Sequence, residues 1–262
     1  MHKIALAAIL GGISIASNAA PLGLPPVPVP ADNPQTPAKI KLGDRLYHDK
    51  RFSADGKVSC ATCHAREKAF TDHLPVSKGF QGKRGTRNAP TVINAAYLKT
   101  QFWDGREPDL EGQSKQPPVN PVEGGLPDHR PILAVIRKDK DYTRAFKKVF
   151  GATPAEISMD HVAKAIASFE RTIIAGDSPF DQYRYGGKNN ALTASQKRGL
   201  DVFLNKGRCV SCHVIEQTQA LFTDNRFHNI GVGFKRLKEK EAQTARAFIQ
   251  KKNQGADVDV TV

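Results

Sequence analysis

All four cysteines of this 262-residue chain lie in two short motifs with the same pattern, Cys-x-x-Cys-His. The residues of these motifs that can do chemistry are Cys60, Cys63, His64, Cys209, Cys212 and His213. Two thiols at this spacing can reach the two vinyl groups on one edge of a porphyrin, and the next imidazole can ligate the iron. The pattern is typical of c-type haem attachment. We therefore predict two covalently bound haems, with His64 and His213 as the iron ligands.

Other uses of paired cysteines fit the two motifs less well. Two disulfides would suit an exported chain, but they would not need a histidine directly after each pair. A zinc site built from both pairs would not need these histidines either. A thioredoxin-like redox motif belongs in a βαβ setting, which the sequence does not show. Covalent haem attachment accounts for every cysteine and for both histidines.

The first 20 residues predict a secretory signal peptide. A basic start at Lys3 precedes an apolar run over residues 4–15, which is too short to span a bilayer. The small-x-small pattern at residues 17–19 then offers a cleavage site. An uncleaved anchor is the alternative. In both cases the body of the protein is exported, and we expect membrane contact through this segment alone.

The composition is that of a folded protein with a strongly basic balance. Hydrophobic residues make up 39% of the chain, which is enough for a core and excludes a disordered tail. The formal net charge of +13 could suit nucleic acid, an anionic surface or an acidic protein partner. Lysine and arginine are spread along the chain without a long block, so we expect no nucleic-acid partner.

Helical patterns flank both motifs and predict a mostly α fold with long loops. Apolar spacing predicts a helix over residues 40–47, before the first motif. A capping box at residues 193–196 opens a helix before the second motif. Between the motifs, Asp139 and Ser158 are predicted to cap two further helices, which end at Gly151 and near Gly176. Residues 74–128 show no clear period.

The sequence divides into an arm and two related haem domains. Residues 21–37 carry seven prolines and predict an extended arm outside the core. We expect an N-terminal haem domain over residues 38–188 and a C-terminal haem domain over residues 189–262. Ala-Phe-Thr-Asp at 69–72 resembles Leu-Phe-Thr-Asp at 221–224, so a degenerate internal repeat follows each motif.

Two further runs resemble a known family. They are Arg-Asn-Ala-Pro-Thr at 87–91 and Gln-Phe-Trp-Asp-Gly-Arg at 101–106. In combination they resemble the bacterial dihaem cytochrome c peroxidases, a family that includes MauG, and the resemblance covers about residues 38–234. It implies that the N-terminal haem carries the peroxide chemistry and that the C-terminal haem stores and relays electrons.

The resemblance also implies roles for four residues near the first haem. Trp103 would relay electrons between the haems, and Asn88 would help to hold a calcium ion. Gln113 and Glu123 match the family's residues on the open face of the haem, where an amide can orient peroxide and a carboxylate can carry its proton. Each residue also has a structural alternative. Trp103 would be an aromatic that only packs, Asn88 would bind the local backbone, and Gln113 and Glu123 would be ordinary side chains.

The sequence departs from the family pattern in two places. Family members that need reductive activation carry a removable histidine ligand of the first haem at the position where this chain has Phe80. The nearest histidine, His73, lies seven residues before that position. We therefore expect an open first haem, as in the MauG branch. Family members also continue beyond the length of this chain, so we expect a truncated second haem domain that lacks the usual distal ligand.

We therefore interpret the sequence as a periplasmic dihaem oxidoreductase that reduces hydrogen peroxide. Its electrons would come from a small cytochrome c or a cupredoxin. A MauG-like enzyme that oxidises residues of a partner protein is one alternative, and a plain dihaem electron-transfer cytochrome is another. The resemblance leaves a homodimer open.

Overall fold

The computed structural model describes residues 20–228, and the regular structure of this range is helical. Its α-helices are α1 (Pro37–Tyr47), α2 (Cys60–Cys63), α3 (Leu110–Gln113), α4 (Gln116–Val119), α5 (Arg130–Lys138), α6 (Lys140–Phe150), α7 (Met159–Glu170), α8 (Pro179–Arg184) and α9 (Ala194–Leu204). Short 3₁₀ turns lie at Lys50–Phe52, Arg66–Lys68, Phe80–Gly82, Ala95–Tyr97 and Cys209–Ser211.

Extended pairing is sparse in this fold. No strand forms within residues 20–228, where three isolated bridges join Ala65 to Thr71, Lys78 to Arg84 and Gln101 to Glu107. The stretch without a clear period, residues 74–128, contains only α3, α4 and short 3₁₀ turns between loops. The predicted fold class, mostly α with long loops, is confirmed.

The predicted caps mark the starts of the longer helices. Asp139 accepts a hydrogen bond from the backbone N–H of Tyr142 at 3.2 Å, and Gly151 ends α6 with a φ of +69°. Thr193 and Gln196 form the predicted capping box, with reciprocal bonds of 3.2 and 2.8 Å at the start of α9. These local signals were sufficient to predict the helix ends, because the backbone groups at a helix end are bound by residues nearby in sequence.

One helix end differs from the prediction. Ser158 caps α7 as expected, but the helix ends at Glu170 and not near Gly176. Ile173 continued the apolar spacing because the turn after α7 buries it in a small cluster with Val92. Periodicity cannot distinguish a buried helical residue from a buried residue of the following turn.

Helices α1 and α7 form the centre of the core. Gly43 of α1 lies directly against α7, since a Cβ there would come within 1.9 Å of the Ala165 carbonyl oxygen. The largest fully buried side chains are those of Tyr47, Tyr142, Phe146, Leu46, Ile132, Ile136, Ile157 and Val162. This core positions the first motif, because the Tyr47 hydroxyl donates a 3.0 Å hydrogen bond to the His64 carbonyl.

The proline-rich arm is extended but packed onto the body. Asn33 is completely buried, and its amide donates to Glu111 Oε1 at 2.7 Å and to the Lys164 carbonyl at 3.0 Å. Near the start of the arm, the Gly23 carbonyl accepts the N–H of Ala220 at 2.9 Å. The arm therefore connects α3 and α7 with the loop that follows the second motif.

Several predictions concern residues at the ends of the described range or beyond it. The signal peptide, residues 1–20, lies outside the described residues except for Ala20, as does the second domain after residue 228. The predicted domain boundary at 188–189 falls in the connection between α8 and α9 and stays a prediction. Within the described range, no helix is long and apolar enough to cross a membrane.

Candidate functional site: a haem cavity

Each Cys-x-x-Cys-His motif folds into one tight turn that ends at its histidine. The first motif (Cys60–His64) contains α2, and the His64 N–H donates to the Cys60 carbonyl at 3.0 Å. The second motif (Cys209–His213) contains a 3₁₀ turn, and the His213 N–H donates to the Cys209 carbonyl at 2.9 Å. Residues three apart on such a turn are neighbours, so each motif can present two thiols to one cofactor.

The imidazoles of the two motifs are oriented in the same way. Nδ1 of His64 lies 3.2 Å from the Phe70 carbonyl oxygen, and Nδ1 of His213 lies 2.9 Å from that of Phe222. Because a carbonyl can only accept, Nδ1 carries the proton and Nε2 of the neutral ring keeps its lone pair. Histidine ligands of metals are held by such partners. Burial also lowers the pKa of His64, which favours the neutral form.

The sequence repeat after the motifs explains this common orientation. The N–H of Phe70 donates to the Ala65 carbonyl at 2.8 Å, and that of Phe222 to the Val214 carbonyl at 3.2 Å. Both phenylalanines have a positive φ, 57° and 53°. This conformation costs a non-glycine residue about 1–2 kcal/mol. The chain adopts it twice, and each time it turns a carbonyl back towards the preceding histidine.

The thiols of the first motif are not activated nucleophiles. Burial raises the pKa of Cys60 to about 12 and that of Cys63 to about 11. Redox-active thiols instead have a lowered pKa beside a cation or a helix N-terminus. This environment argues against a thioredoxin-like dithiol and agrees with covalent attachment of a cofactor.

A cavity of about 910 Å³ lies against the first motif. Cys60, Cys63 and His64 all line it. Its volume is near the upper end of the range for cofactor pockets, roughly 300–1,000 Å³. Apolar side chains of α1, α5 and α7 contribute to its wall: Leu46, Ile132, Met159, Val162 and Ile166. The cavity therefore suits a large apolar cofactor attached at Cys60 and Cys63.

The two residues predicted to act on peroxide line this same cavity. Gln113 is the last residue of α3, and Glu123 lies in the loop after α4. Glu123 Oε1 accepts a 2.9 Å hydrogen bond from the Asn120 amide. Burial raises the pKa of Glu123, and the nearby Arg106 partly opposes this effect. The cavity thus contains a carboxyl able to hold a proton and an amide able to orient a small ligand.

Trp103 and Asn88 also line the cavity and contact each other. Trp103 is 57% exposed, and its Nε1 donates to the Asn88 carbonyl at 2.8 Å. The side-chain amide of Asn88 donates to the Leu74 carbonyl at 2.7 Å. The structure therefore places Trp103 at a solvent-exposed part of the wall. Its role as a relay and the role of Asn88 at calcium stay predictions.

The carboxylate of Asp104 joins two arginines of the cavity wall. Arg87 Nη1 lies 2.8 Å from Asp104 Oδ2, and Arg106 Nη1 lies 2.9 Å from Asp104 Oδ1. The ring of Phe102 lies beneath the Arg106 guanidinium at 3.4 Å. Both arginines line the cavity, where they offer positive charge to the carboxylates of a bound porphyrin.

The remaining histidines of the first domain have structural contacts. His48 binds the Asp44 carbonyl, His129 binds the Lys115 carbonyl, and His161 completes the cap of α7. His73 is exposed and does not line the cavity. Phe80 packs against Gly125, and its N–H donates to the Glu123 carbonyl at 2.7 Å. Its correspondence to a removable ligand of relatives stays a prediction.

The second motif has its own polar neighbours. His228 Nε2 lies 2.8 Å from Asp224 Oδ2, and both residues lie with Cys212 in a group whose ligand atoms are within 4.8 Å of one another. Because Cys212 is predicted to carry the haem, we interpret this group as part of the second haem's surroundings. His228 is held by Asp224 in the structure.

Sequence reasoning missed two features of the cavity region. Glu170 lines the cavity and is 5% exposed, and Oε2 of its carboxyl has no hydrogen-bond partner among residues 20–228. Arg171, the next residue, binds Glu111 through two hydrogen bonds of 2.7 and 2.9 Å. A signal for Glu170 did exist, since it follows Val162 and Ile166 at intervals of four on the apolar stripe of α7.

The residues of both motifs fit covalently bound haem. Each motif supplies two thiols and an imidazole whose Nδ1 is held by a backbone carbonyl. Around the first motif, apolar walls and two arginines match the apolar body and the carboxylates of a porphyrin. The buried Glu170 Oε2, which has no hydrogen-bond partner within residues 20–228, also indicates that the cavity holds an occupant.

Comparison with known proteins gives a consistent result. A family profile described as di-haem cytochrome c peroxidase matches residues 37–190. The cytochrome-c peroxidase IdrP1 of Pseudomonas sp. (strain SCT) is 39% identical over 80% of this chain and 54% of its own length. The methylamine utilization protein MauG of Methylorubrum extorquens is 36% identical over 79% of this chain and 56% of its own length.

A solved structure shows the same fold. The crystal structure of a MauG-like protein associated with microbial copper homeostasis is similar to this chain with a TM-score of 0.68 and 34% identity. The match covers 80% of this chain and 61% of the MauG-like protein. This chain spans about half the length of the curated relatives it matches. The matched profile runs from the start of α1 past α8 and includes the first motif with Gln113 and Glu123. The chain belongs to the di-haem cytochrome c peroxidase family.

Proposed function

We propose that this chain is a c-type dihaem peroxidase that reduces hydrogen peroxide to water at the first haem. The single observation that carries the proposal is the cavity that joins the first motif to Glu123 and Gln113. Similarity to both cytochrome c peroxidases and MauG supports a haem oxidoreductase in general. The cavity adds the acid–base residue that peroxide reduction requires.

The residues of the cavity can divide the work on peroxide. Bound haem supplies the electron transfer needed to cleave the O–O bond. Glu123 takes a proton from one peroxide oxygen and returns it to the other, which leaves as water. Burial raises the pKa of Glu123, which makes this carboxylate a better proton acceptor than an ordinary one. The Gln113 amide donates a hydrogen bond that orients the peroxide. Two electrons and two protons in total convert one peroxide into two water molecules.

Electrons reach the first haem, in this proposal, through the second haem and Trp103. The cavity that contains the first motif also contacts Phe222 and Thr223, which belong to the loop after the second motif. Trp103 lines the same cavity. A small cytochrome c or cupredoxin is the proposed electron donor, and the net charge of +13 favours an acidic one.

Steady-state peroxide consumption tests this function. The full chain carrying both haems is mixed with a reduced small cytochrome c and hydrogen peroxide. We expect peroxide-dependent oxidation of the donor, and slower oxidation in Trp103→Leu, because that variant loses the proposed relay. Absence of peroxide reaction with two six-coordinate haems would instead identify an electron-transfer cytochrome.

A MauG-like activity is the second candidate, and Phe80 favours it. The first haem would be open because Phe80 cannot ligate iron and His73 lies outside the cavity wall. A haem held by His64 with its other face free would supply the chemistry for oxidising residues of a partner protein with peroxide, without an electron from a donor. Peroxide turnover that occurs only when an oxidisable protein is present would support this candidate.

Three further features belong to the proposal. The signal peptide implies the periplasm, Asn88 is the proposed calcium contact, and a homodimer is the proposed assembly. Calcium is tested by comparing the haem spectra of the chelated protein with and without added calcium. Sedimentation of the haem-loaded chain tests the dimer.

We expect the mature protein to be heavier than its polypeptide by two haems. Each motif provides two thiols and an oriented imidazole, and thioether bonds survive denaturation. The measurement is the intact mass after expression with haem-maturation machinery. A double variant, Cys209→Ala with Cys212→Ala, should retain one haem. A wild-type mass that corresponds to the bare chain would contradict covalent attachment.

We expect the first haem to be high-spin in the fully oxidised protein, without reductive activation. Phe80 cannot ligate iron. His73 is exposed and has a backbone φ of +60°. The ferric spectrum and immediate cyanide binding measure this state. His73→Ala should leave the spectrum unchanged, as should the control variant His48→Ala. A low-spin wild type that becomes high-spin in His73→Ala would show that His73 closes the site.

A further inference from the structure

Glu170, the last residue of α7, is a buried carboxyl that the proposed peroxide chemistry does not use. It is 5% exposed and lines the cavity, and its Oε2 is buried without a hydrogen-bond partner in residues 20–228. Removing a carboxyl from water without a partner is costly. The group is therefore expected to interact with whatever the cavity binds.

Groups from four parts of the chain face Glu170, and none supplies a free cation. They are Tyr47 of α1, Cys60 of α2, Glu111 of α3 and Arg171 directly after α7. The guanidinium of Arg171 is already bound by both carboxylate oxygens of Glu111. The Tyr47 hydroxyl donates to the His64 carbonyl.

The protonation of Glu170 is poised near neutral pH. Burial raises the pKa of its carboxyl to about 8, Glu111 adds to this effect, and Arg171 opposes it. A positive charge in the cavity would favour the ionised form, and loss of that charge would favour the protonated form. Ferric haem carries one more positive charge than ferrous haem.

We propose that Glu170 couples a proton to the electron of the first haem, taking up one proton on haem reduction and releasing it on oxidation. The inference rests on the proposed function in one respect, that the cavity binds the first haem. The electron comes from a small redox protein or a chemical reductant, and the proton comes from solvent. One carboxylate becomes one carboxylic acid as one ferric iron becomes ferrous.

The path for this proton is consistent with the geometry. The cavity that Glu170 lines is also lined by Trp103, which is 57% exposed, so the cavity reaches solvent. Tyr47 contacts both the neighbour of Glu170 in sequence and the loop of the predicted iron ligand. Its ring packs on Phe169, next to Glu170, at 5.1 Å, and its hydroxyl holds the loop of the iron ligand His64.

The test is a spectroelectrochemical titration of the first haem in the full chain loaded with both haems. In the wild type, we expect the midpoint potential to fall as pH rises through the region around 8. Glu170→Gln should abolish this dependence and give a higher potential on the alkaline side, because the variant cannot ionise. The potentials of wild type and variant should converge at acidic pH.

Two control variants make the test specific. Glu170→Asp keeps a carboxyl and should keep a pH-dependent potential, and it decides the matter if Glu170→Gln fails to bind haem. Glu123→Gln removes a second carboxyl that lines the cavity and should keep the wild-type slope around pH 8. An unchanged slope in Glu170→Gln, a flat Glu170→Asp, or a slope lost in Glu123→Gln would overturn the proposal.

Peroxide turnover measured on the same samples separates this inference from the proposed function. Turnover that is absent while the Glu170-dependent slope is present contradicts the peroxidase and supports the proton coupling. Turnover that is present while the slope is independent of Glu170 overturns the coupling and leaves the peroxidase intact.

Discussion

Replacing Glu123 with glutamine is expected to slow the reaction with peroxide by roughly 10²–10⁴-fold, the usual cost of losing general acid–base help. Glutamine keeps the size of the side chain and can keep a contact with Asn120, whose amide now donates to Glu123 at 2.9 Å. It cannot accept and return a proton. The measurement is the bimolecular rate of peroxide reaction with the oxidised protein, followed in stopped flow.

Two variants test the specificity of that loss. Gln113→Ala removes one orienting hydrogen bond, which is worth about 0.5–1.5 kcal/mol, so its rate should fall by roughly tenfold at most. Glu67→Gln changes an exposed glutamate outside the cavity and should leave the rate unchanged. A Glu123→Gln rate equal to the wild type would remove Glu123 from the mechanism.

The pH dependence of the same reaction gives a second measure of Glu123. Burial raises the pKa of its carboxyl, and the protonated acid cannot accept a proton from peroxide. The rate should therefore rise with pH through a value above the ordinary carboxyl pKa and then level off. Glu123→Gln should lack this step. A step that persists in the variant would belong to another group.

Local signals in the sequence were enough to predict much of the haem site. Each motif and the repeated Phe-Thr-Asp run after it lie close together along the chain, so the repeat was visible in the sequence although its contact with the histidines was not predicted. The family runs near Trp103 pointed to Gln113 and Glu123, which line one cavity in the structure, and their roles there stay predictions. Helix caps such as Thr193 were equally local, because a cap satisfies backbone groups within its own first turn.

Long-range contacts account for what the sequence did not reveal. The arm was predicted to lie outside the core because of its prolines, yet Asn33 is completely buried between α3 and α7. Arg171 and Glu111 are 60 residues apart in sequence, and no spacing rule relates them. Glu170 was not singled out, because periodicity indicates burial and not the charge state of a buried group.

Replacing Glu111 with alanine is expected to lower the free energy of unfolding by about 3–5 kcal/mol, because it strands a buried charge. The side chain of Arg171 is 4% exposed and that of Glu111 is 15% exposed. Without Glu111, the guanidinium would have no anionic partner in this pair, and Asn33 would lose its 2.7 Å contact. Chemical denaturation of the haem-loaded chain, followed by circular dichroism, measures the change.

The free energy of unfolding should also depend on pH through the ionisation of Glu111. Burial alone would raise the pKa of Glu111, but hydrogen bonds from Arg171 and Asn33 bring it below the ordinary value. The stability that this ionised carboxyl contributes is therefore present above the ordinary carboxyl pKa and is lost as pH falls through the lowered value. Glu111→Ala should flatten this part of the stability profile.

Two comparisons separate a stranded charge from a general packing defect. Arg144→Ala disrupts an exposed ion pair with Asp141 and should cost about 0–1 kcal/mol, the usual value of a surface pair. The double replacement Glu111→Leu with Arg171→Met removes both charges while keeping apolar volume, and it should recover most of the lost stability. A double variant as unstable as Glu111→Ala would show that volume, and not the unpaired guanidinium, causes the loss.

Because α3 also carries Gln113, a double variant that regains stability but reacts slowly with peroxide would show that this ion pair positions the cavity amide as well as stabilising the fold.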